Sequence, residues 1–259
     1  MNCQTLVKVV IPIYKNKINS DERKSLEQCC KVLSAYSIVF VKPQSLDVEN
    51  LQKEYPQIEI ENFADHYFTT LVNYNRLMLS SEFYSRFSDC KYILIYQLDA
   101  YVFRDELKEW CDKNYDYIGA PWLLKAKYNV FYMQFFLKIK SLIYCIKRRP
   151  FRKLFIKNKI GNGGFSLRKV ASHIAAIIEN QPKINYFSAQ CQKYDVFNED
   201  VFWATQNPQF IYPNIQEALS FSIDENPEQC FVLNHNKLPF GCHGWSKPKK
   251  NTFWQDKIQ

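Results

Sequence analysis

Apolar runs alternating with helix-spaced patterns occupy the first hundred positions. LVKVVIPIY (Leu6 to Tyr14) is β-branched and apolar with a proline near its end, which predicts a buried first strand closing into a loop. In SDERKSLEQCCKVLSAY, Ser20 reads as an N-cap, acids fill the first turn, and Leu26, Cys29, Cys30 and Leu33 recur at helical spacing. SIVFVKP (Ser37 to Pro43) predicts a second strand, LDVENLQKEYP a short helix, and QIEIENF a third strand that alternates apolar and acidic side chains. NYNRLMLSSEFYSRF predicts another helix and KYILIYQLDAYVF the next strand. This rhythm argues for an α/β fold with a mostly parallel central sheet and helices on both faces. Ligands of such sheets sit outside the carboxyl ends of the strands, so Asp99, the loop around Tyr14 and Lys15, and Pro43 belong to one edge.

Past YDYIGAPW (Tyr115 to Trp122) the character changes. Leu123 to Lys159 holds eleven Lys or Arg and no Asp or Glu, so a formal charge of +8 for the whole chain leaves the remainder slightly acidic. The apolar part, Val130 to Ile146, is interrupted by Gln134, Lys138 and Lys140 and falls short of the roughly 20 apolar residues of a spanning helix. Two readings stand: a basic amphipathic helix lying in an anionic membrane interface, or a helical insertion that packs on its own domain with its lysines in water.

The length of 259 residues and a 47% hydrophobic content suffice for one large domain or two intimate halves. Nine cysteines, Cys3 among them, lack any C-x-x-C spacing and read as reduced thiols in the core. The opening residues have neither a basic leader nor a long apolar region, so a cytoplasmic location is expected.

Four short stretches carry candidate chemistry. Asp99 in QLDAY is either a helix cap or a ligand for a hard divalent cation. Gly161, Gly163 and Gly164 place three of six glycines within four positions, which suits a loop where backbone N–H groups approach a ligand, or a tight structural turn. In NED, Glu199 and Asp200 are adjacent at a helix start; they are a capping pair, or one is a general base toward a hydroxyl while the other faces elsewhere. His243 in FGCHGW lies between Gly241 and Gly244 and next to Trp245, a turn-like setting in which imidazole serves as a metal ligand, whereas His66, His173 and His235 read as structural.

The order QLDAY, GNGGFS, NED, CHGW resembles the GT-A class of nucleotide-sugar glycosyltransferases, with its D-x-D motif, glycine-rich loop, x-E-D motif and C-terminal histidine. From VVIPIYK to FGCHGW the chain also resembles an uncharacterised bacterial glycosyltransferase-like family. The resemblance implies a GT-A-like, Rossmann-like single domain over 1–259: a nucleotide-sugar-binding half (1–122), a basic helical insertion (123–160) and an acceptor and catalytic half (161–259). It implies that Asp99, Tyr14, Gly163 and Gly164 meet the donor and that Asp99 and His243 bind Mn²⁺ or Mg²⁺. Asp200 is then the base, with Glu199 beside it, and Trp203 and Trp245 orient the acceptor. Tyr101 departs from the pattern, standing where a second aspartate is expected. Basic side chains neutralising the leaving diphosphate are the alternative to a cation.

The expected activity is inverting transfer from a nucleotide sugar to a glycan or lipid-linked acceptor in bacterial surface polysaccharide synthesis, at the inner face of the plasma membrane. The rivals are a nucleotidyltransferase, a non-catalytic nucleotide-sugar binder and a nucleic-acid-binding module. The last would explain the basic stretch but leave GNGGFS, NED and FGCHGW without purpose, so nucleic acid is not an expected partner.

Overall fold

A computed structural model describes residues 4–258, so Cys3 lies outside the described residues. The first half contains β1 (Thr5–Pro12), α1 (Ser20–Val32), β2 (Ser37–Pro43), α2 (Glu49–Glu54), β3 (Glu59–Phe63), α3 (Leu71–Met78), α4 (Ser81–Ser85) and β4 (Cys90–Tyr96). Then come β5 (Ala100–Val102), α5 (Leu107–Asp112), β6 (Tyr117–Ile118), α6 (Phe131–Ile146), α7 (Arg152–Phe155), β7 (Phe165–Lys169), α8 (Val170–Glu179) and α9 (Gln181–Gln190). The chain closes with α10 (Glu199–Thr205), α11 (Ile215–Phe221), β8 (Ser222–Ile223), α12 (Pro227–Leu233), β9 (Gly241–His243) and α13 (Pro248–Trp254).

The main sheet has the order β3-β2-β1-β4-β7-β6, parallel from β3 to β4 and antiparallel at β4–β7 and β7–β6. Side chains of one strand alternate between its faces. Val7, Val9 and Ile11 of β1 and Tyr92, Leu94 and Tyr96 of β4 therefore pack with Leu26 and Cys29 of α1 and with Leu33 at its C-cap. Val10, Ile93 and Ile95 enter the opposite core with Leu77, Phe83, Tyr84 and Trp203. A proline at the end of β1 and a tyrosine at the end of β4 stop neither core from reaching the carboxyl edge.

The sequence does not anticipate the second sheet, β5-β9-β8, whose strands of two or three residues are too short for any periodicity. It matters because it pairs Ala100 with His243 and carries Tyr101 and Cys242 into a third core with Trp245 and Trp254. Two boundaries also move. Asn19, not Ser20, caps α1, in a reciprocal capping box with Glu22. The helix expected from Asn73 to Phe87 breaks in two because the Ser80 hydroxyl accepts from Phe83 N–H and starts α4.

The eight described cysteines are free thiols, six of them buried. Among the described residues no helix is long and apolar enough to cross a membrane. In α6 only Leu137 is buried; eight large apolar side chains are exposed, from Phe131 (87%) to Ile146 (75%).

Candidate active site

Strand β7 runs against β4, so its leading residues Gly163 and Gly164 arrive at the edge where β1 and β4 end. The main chain is pinned there: Gln97 N–H donates to Gly164 C=O at 2.8 Å, and Gly244 N–H donates to Asp99 C=O at 2.8 Å. These two bonds tie the end of β4 to the glycine loop and to the turn after β9.

The side chains at this junction form an alternating row of charge. One oxygen of Asp99 lies 3.0 Å from His243 Nε2 and the other 2.9 Å from Lys247 Nζ. Across the ring, Asp224 lies 3.4 Å from His243 Nδ1 and is itself paired with Lys250. Burial alone would lower the imidazole pKa, but the Asp224 and Asp99 carboxylates raise it to about 9. Burial works against ionised Asp99 as well; His243 and Lys247 outweigh it and hold the carboxyl well below the usual range.

Can this row hold a divalent cation? Both ring nitrogens of His243 are buried, and neither is in hydrogen-bonding geometry despite the nearby acids. Asp99 and Nε2 converge from two directions, and Asp224 stands 3.4 Å from Nδ1, a carboxylate behind the ring that would ligate through Nε2 once its proton is displaced. Among the described residues no group of three or more His, Cys, Asp or Glu is arranged around one ion position. The donors thus fit an ion that takes two ligands from the protein and the rest from phosphate oxygens and water. Tyr101, at the second acidic position of the motif, is withdrawn into the third core against Phe103 and Trp245.

The glycine loop links this row to the NED residues. A β-carbon on Gly164 would fall 2.2 Å from His243 Nε2, and one on Gly163 would fall 2.2 Å from Glu199 Oε1 and 3.5 Å from the Asp200 Cβ. Glycine is needed here for space. The positive φ in the loop, 76°, belongs to Asn162, whose Oδ1 accepts from Gly164 N–H at 3.0 Å.

Asp200 is half-buried. Loss of water and the neighbouring Glu199 charge push its pKa up to about 6, against the pull of Arg152 and the N–H groups of Val201 and Gly163. Glu199 is differently placed from the expectation of a catalytic partner. It is buried and held by both terminal nitrogens of Arg168, at 2.9 and 3.0 Å, while Asn75 accepts from its N–H. It positions the helix start and its Asp200 and has no free oxygen edge for a substrate.

The two tryptophans expected at the acceptor are also corrected. Trp203 is fully buried among Tyr84, His173 and Phe210, because the fifth residue of α10 faces the core under the sheet. Trp245 donates its indole N–H to Ala100 C=O at 3.1 Å and packs on Tyr101. Neither offers a ring face to a ligand. His173 is likewise core, its Nδ1 2.8 Å from Lys169 C=O.

A cavity of about 660 Å³ opens beside the row, between the β1 loop and the start of α3. Tyr14, Lys15, Thr69, Asp99 and Lys247 line it with apolar Ile13 and Leu71; Pro43 does not reach it. Its size suits a nucleotide-sized ligand, with Lys15 and Lys247 to receive an anionic end. Asp224, Lys247, Arg168 and Arg152 were not singled out by sequence reasoning. Lys247 had a signal, a lysine four residues beyond His243 just before a proline-started helix; Asp224 in SIDEN had none.

The family model described as "Protein of unknown function (DUF5672)" matches residues 57–243. No curated protein matches the sequence. Among solved structures, the galactosyltransferase LgtC in complex with donor and acceptor sugar analogs has a TM-score of 0.55 at 13% identity, over 91% of this chain and 86% of that one. Mouse xyloside xylosyltransferase 1 has a TM-score of 0.51 at 10% identity, over 91% and 96%. Core-mannan synthase A from Aspergillus fumigatus, in an Mn/GDP form, has 0.50 at 9% identity, over 77% and 68%. The frame is the GT-A glycosyltransferase fold.

Proposed function

This chain belongs to the family described as a protein of unknown function (DUF5672), and on its GT-A frame we propose that it is a glycosyltransferase moving a sugar from a nucleotide-sugar donor to a glycan or lipid-linked acceptor. One observation carries this reading: Gly163 and Gly164 thread between Asp200 and His243, so an anion site and a raised-pKa carboxylate share one loop.

The donor lies in the cavity beside Tyr14 and Lys15 with its diphosphate toward Asp99 and Lys247. Asp99 and His243 would hold Mn²⁺ or Mg²⁺, which supplies positive charge to the departing nucleotide. Lys247 adds a second cation at the same point, which answers the missing second aspartate. Asp200 takes the proton of an acceptor hydroxyl as that oxygen attacks the anomeric carbon from the face opposite the nucleotide, and configuration inverts. Residues 1–122 serve the donor and 161–259 the acceptor and base. The exposed apolar face of α6, flanked by Lys138, Lys140, Lys147, Arg148 and Arg149, rests the enzyme on an anionic membrane, a site suited to bacterial surface polysaccharide synthesis.

Incubating the purified protein with a panel of nucleotide sugars, with Mn²⁺, Mg²⁺ or chelator, tests this. We expect one donor family to raise the melting temperature, corresponding to about 2.7 kcal/mol at a hundred times its dissociation constant. We also expect free nucleoside diphosphate and a product sugar of inverted anomeric configuration by NMR. Release of sugar 1-phosphate, with the nucleoside monophosphate left on the acceptor, would replace this reading by nucleotidyl transfer. No shift with any donor would end it.

A further inference from the structure

A second cavity, of about 370 Å³, lies where Trp122 meets Gly161 and shares no lining residue with the donor cavity. Its walls are the 122–128 loop, α7 and the turn at Glu225 and Asn226. They are fastened to each other: Gln229 donates to Leu124 C=O at 2.9 Å and accepts from Ala126 N–H at 2.8 Å, and Asn226 donates to Leu123 C=O at 3.3 Å. The cavity is therefore preformed.

Four cations line it, Lys125, Lys127, Arg152 and Lys153, against a single acid, Glu225. Arg152 lies 3.5 Å from Asp195 and 3.8 Å from Glu225, and its buried Nε has no hydrogen-bond acceptor. Among the described residues no carboxylate is within ion-pair distance of Lys125, Lys127 or Lys153. Lys153 instead donates to the Tyr128 hydroxyl at 2.8 Å, and the surrounding lysines lower that phenol's pKa. Like charges gathered in so small a volume repel unless an anion joins them, and an arginine fork with several lysines suits the oxygens of a phosphate. Trp122 is buried beneath Arg152, whereas the half-exposed Tyr128 ring beside Lys153 can meet the C–H face of a sugar.

The cavity adjoins the glycine loop through Trp122. A β-carbon on Gly161 would fall 2.0 Å from the Trp122 ring, two residues before Gly163 meets Asp200, and the Arg152 charge acts on Asp200 directly. We propose that this cavity is the acceptor subsite and that the acceptor is a sugar bearing a phosphate, which Lys125, Lys127, Arg152 and Lys153 bind. The assignment rests on the glycosyltransferase reading for the word acceptor; the phosphate site itself does not.

Two sources share this chemistry, a soluble sugar phosphate and a phosphate-linked sugar in a membrane. Calorimetric titration with glucose 1-phosphate and sedimentation with phosphatidylcholine vesicles carrying a minor fraction of polyprenyl phosphate separate them. Both are run on the intact chain and on the K125Q/K127Q/K153Q variant, whose three changes lie at exposed side chains. Binding of at least one probe should weaken about tenfold or more in the triple variant, while K247Q, in the donor cavity, leaves it unchanged. The probe that responds names the source. Equal binding by parent and triple variant, or no binding of either probe by the parent, overturns the proposal. Because neither assay needs turnover, loss of the cavity with donor-induced stabilisation intact removes only this assignment, and the converse removes only the glycosyltransferase reading.

Discussion

Arg168 grips Glu199 through two parallel nitrogen–oxygen contacts, 2.9 and 3.0 Å long, directly beneath the loop that carries Gly163. Tyr84 accepts a third bond from the same guanidinium at 3.0 Å, and almost no water reaches the pair. Such a pair is costly to break from one side because the remaining charge is left buried alone. Glu199→Gln should lower stability by about 3–5 kcal/mol in urea titration. The double change R168M/E199M should recover much of that loss. If Glu199→Gln proved neutral in stability yet abolished turnover, Glu199 would be a catalytic residue after all.

Asp200 should combine a gain in stability with a loss of function when it is neutralised. Its folded pKa of about 6 exceeds that of the unfolded chain, so its contribution is full below the unfolded value near 4 and declines as pH rises through 6. Asp200→Asn should therefore match the parent near pH 4 and exceed it by on the order of 2 kcal/mol at pH 7. Turnover of the parent should rise through an apparent pKa near 6, set by Asp200 with Glu199 and Arg152 around it, and should drop by about 10²-fold or more in Asp200→Asn. Thermal melts across pH, beside initial rates, read both effects. A parent rate that is flat from pH 5 to 7 would contradict the base assignment.

Gly164→Ala addresses the other end of the loop. Its methyl group would overlap the His243 ring, which is boxed in by Asp224 and cannot swing freely. The ring must shift or the loop must lift, at a cost of about 1–3 kcal/mol. Thermal shift by a donor nucleotide in the presence of Mn²⁺ should be lost or sharply reduced, while the shift without metal changes little. Retention of the metal-dependent shift would mean that His243 does not meet the ion.

For α6, affinity for vesicles containing anionic lipid, read by flotation, should fall by about 10²-fold or more when Lys147, Arg148 and Arg149 are replaced by glutamate, since each basic residue near such a surface contributes about 1 kcal/mol. Replacing exposed Phe131 and Phe135 by serine should weaken flotation even with the charges kept. Unchanged flotation in both variants would assign the helix to some other contact.

How far the sequence reaches can be argued residue by residue. The alternation in VVIPIY and YILIY is a local property with period two, so β1, β4 and the edge that bears Asp99 follow from it. The glycine loop and Asp200 are legible as residue types able to approach a ligand and to take a proton. The pairing of Glu199 with Arg168 was not, because it joins positions 31 apart through a sheet whose β7 reverses direction. Nor was Asp224, which reaches His243 only through the two- and three-residue strands of the small sheet. Trp203 misled because an aromatic after NED looks alike whether its helix turns it toward a ligand or into the core.

The basic segment leaves and rejoins the sheet at one spot. Trp122 N–H donates to Lys159 C=O at 2.9 Å, Asn158 N–H donates to Trp122 C=O at 2.9 Å, and Gly161 N–H to Ala120 C=O at 3.0 Å, around a bridge between Pro121 and Ile160. The two ends are thus zipped together before the helices begin, and the register of β6 on β7 does not depend on what lies between. The stretch behaves as a cassette on a fixed clasp. Within it, the length and apolar face of α6 can be exchanged while the clasp, Arg152 and the edge where Asp99 and Asp200 sit stay as they are, so the surface this helix presents can change apart from the site.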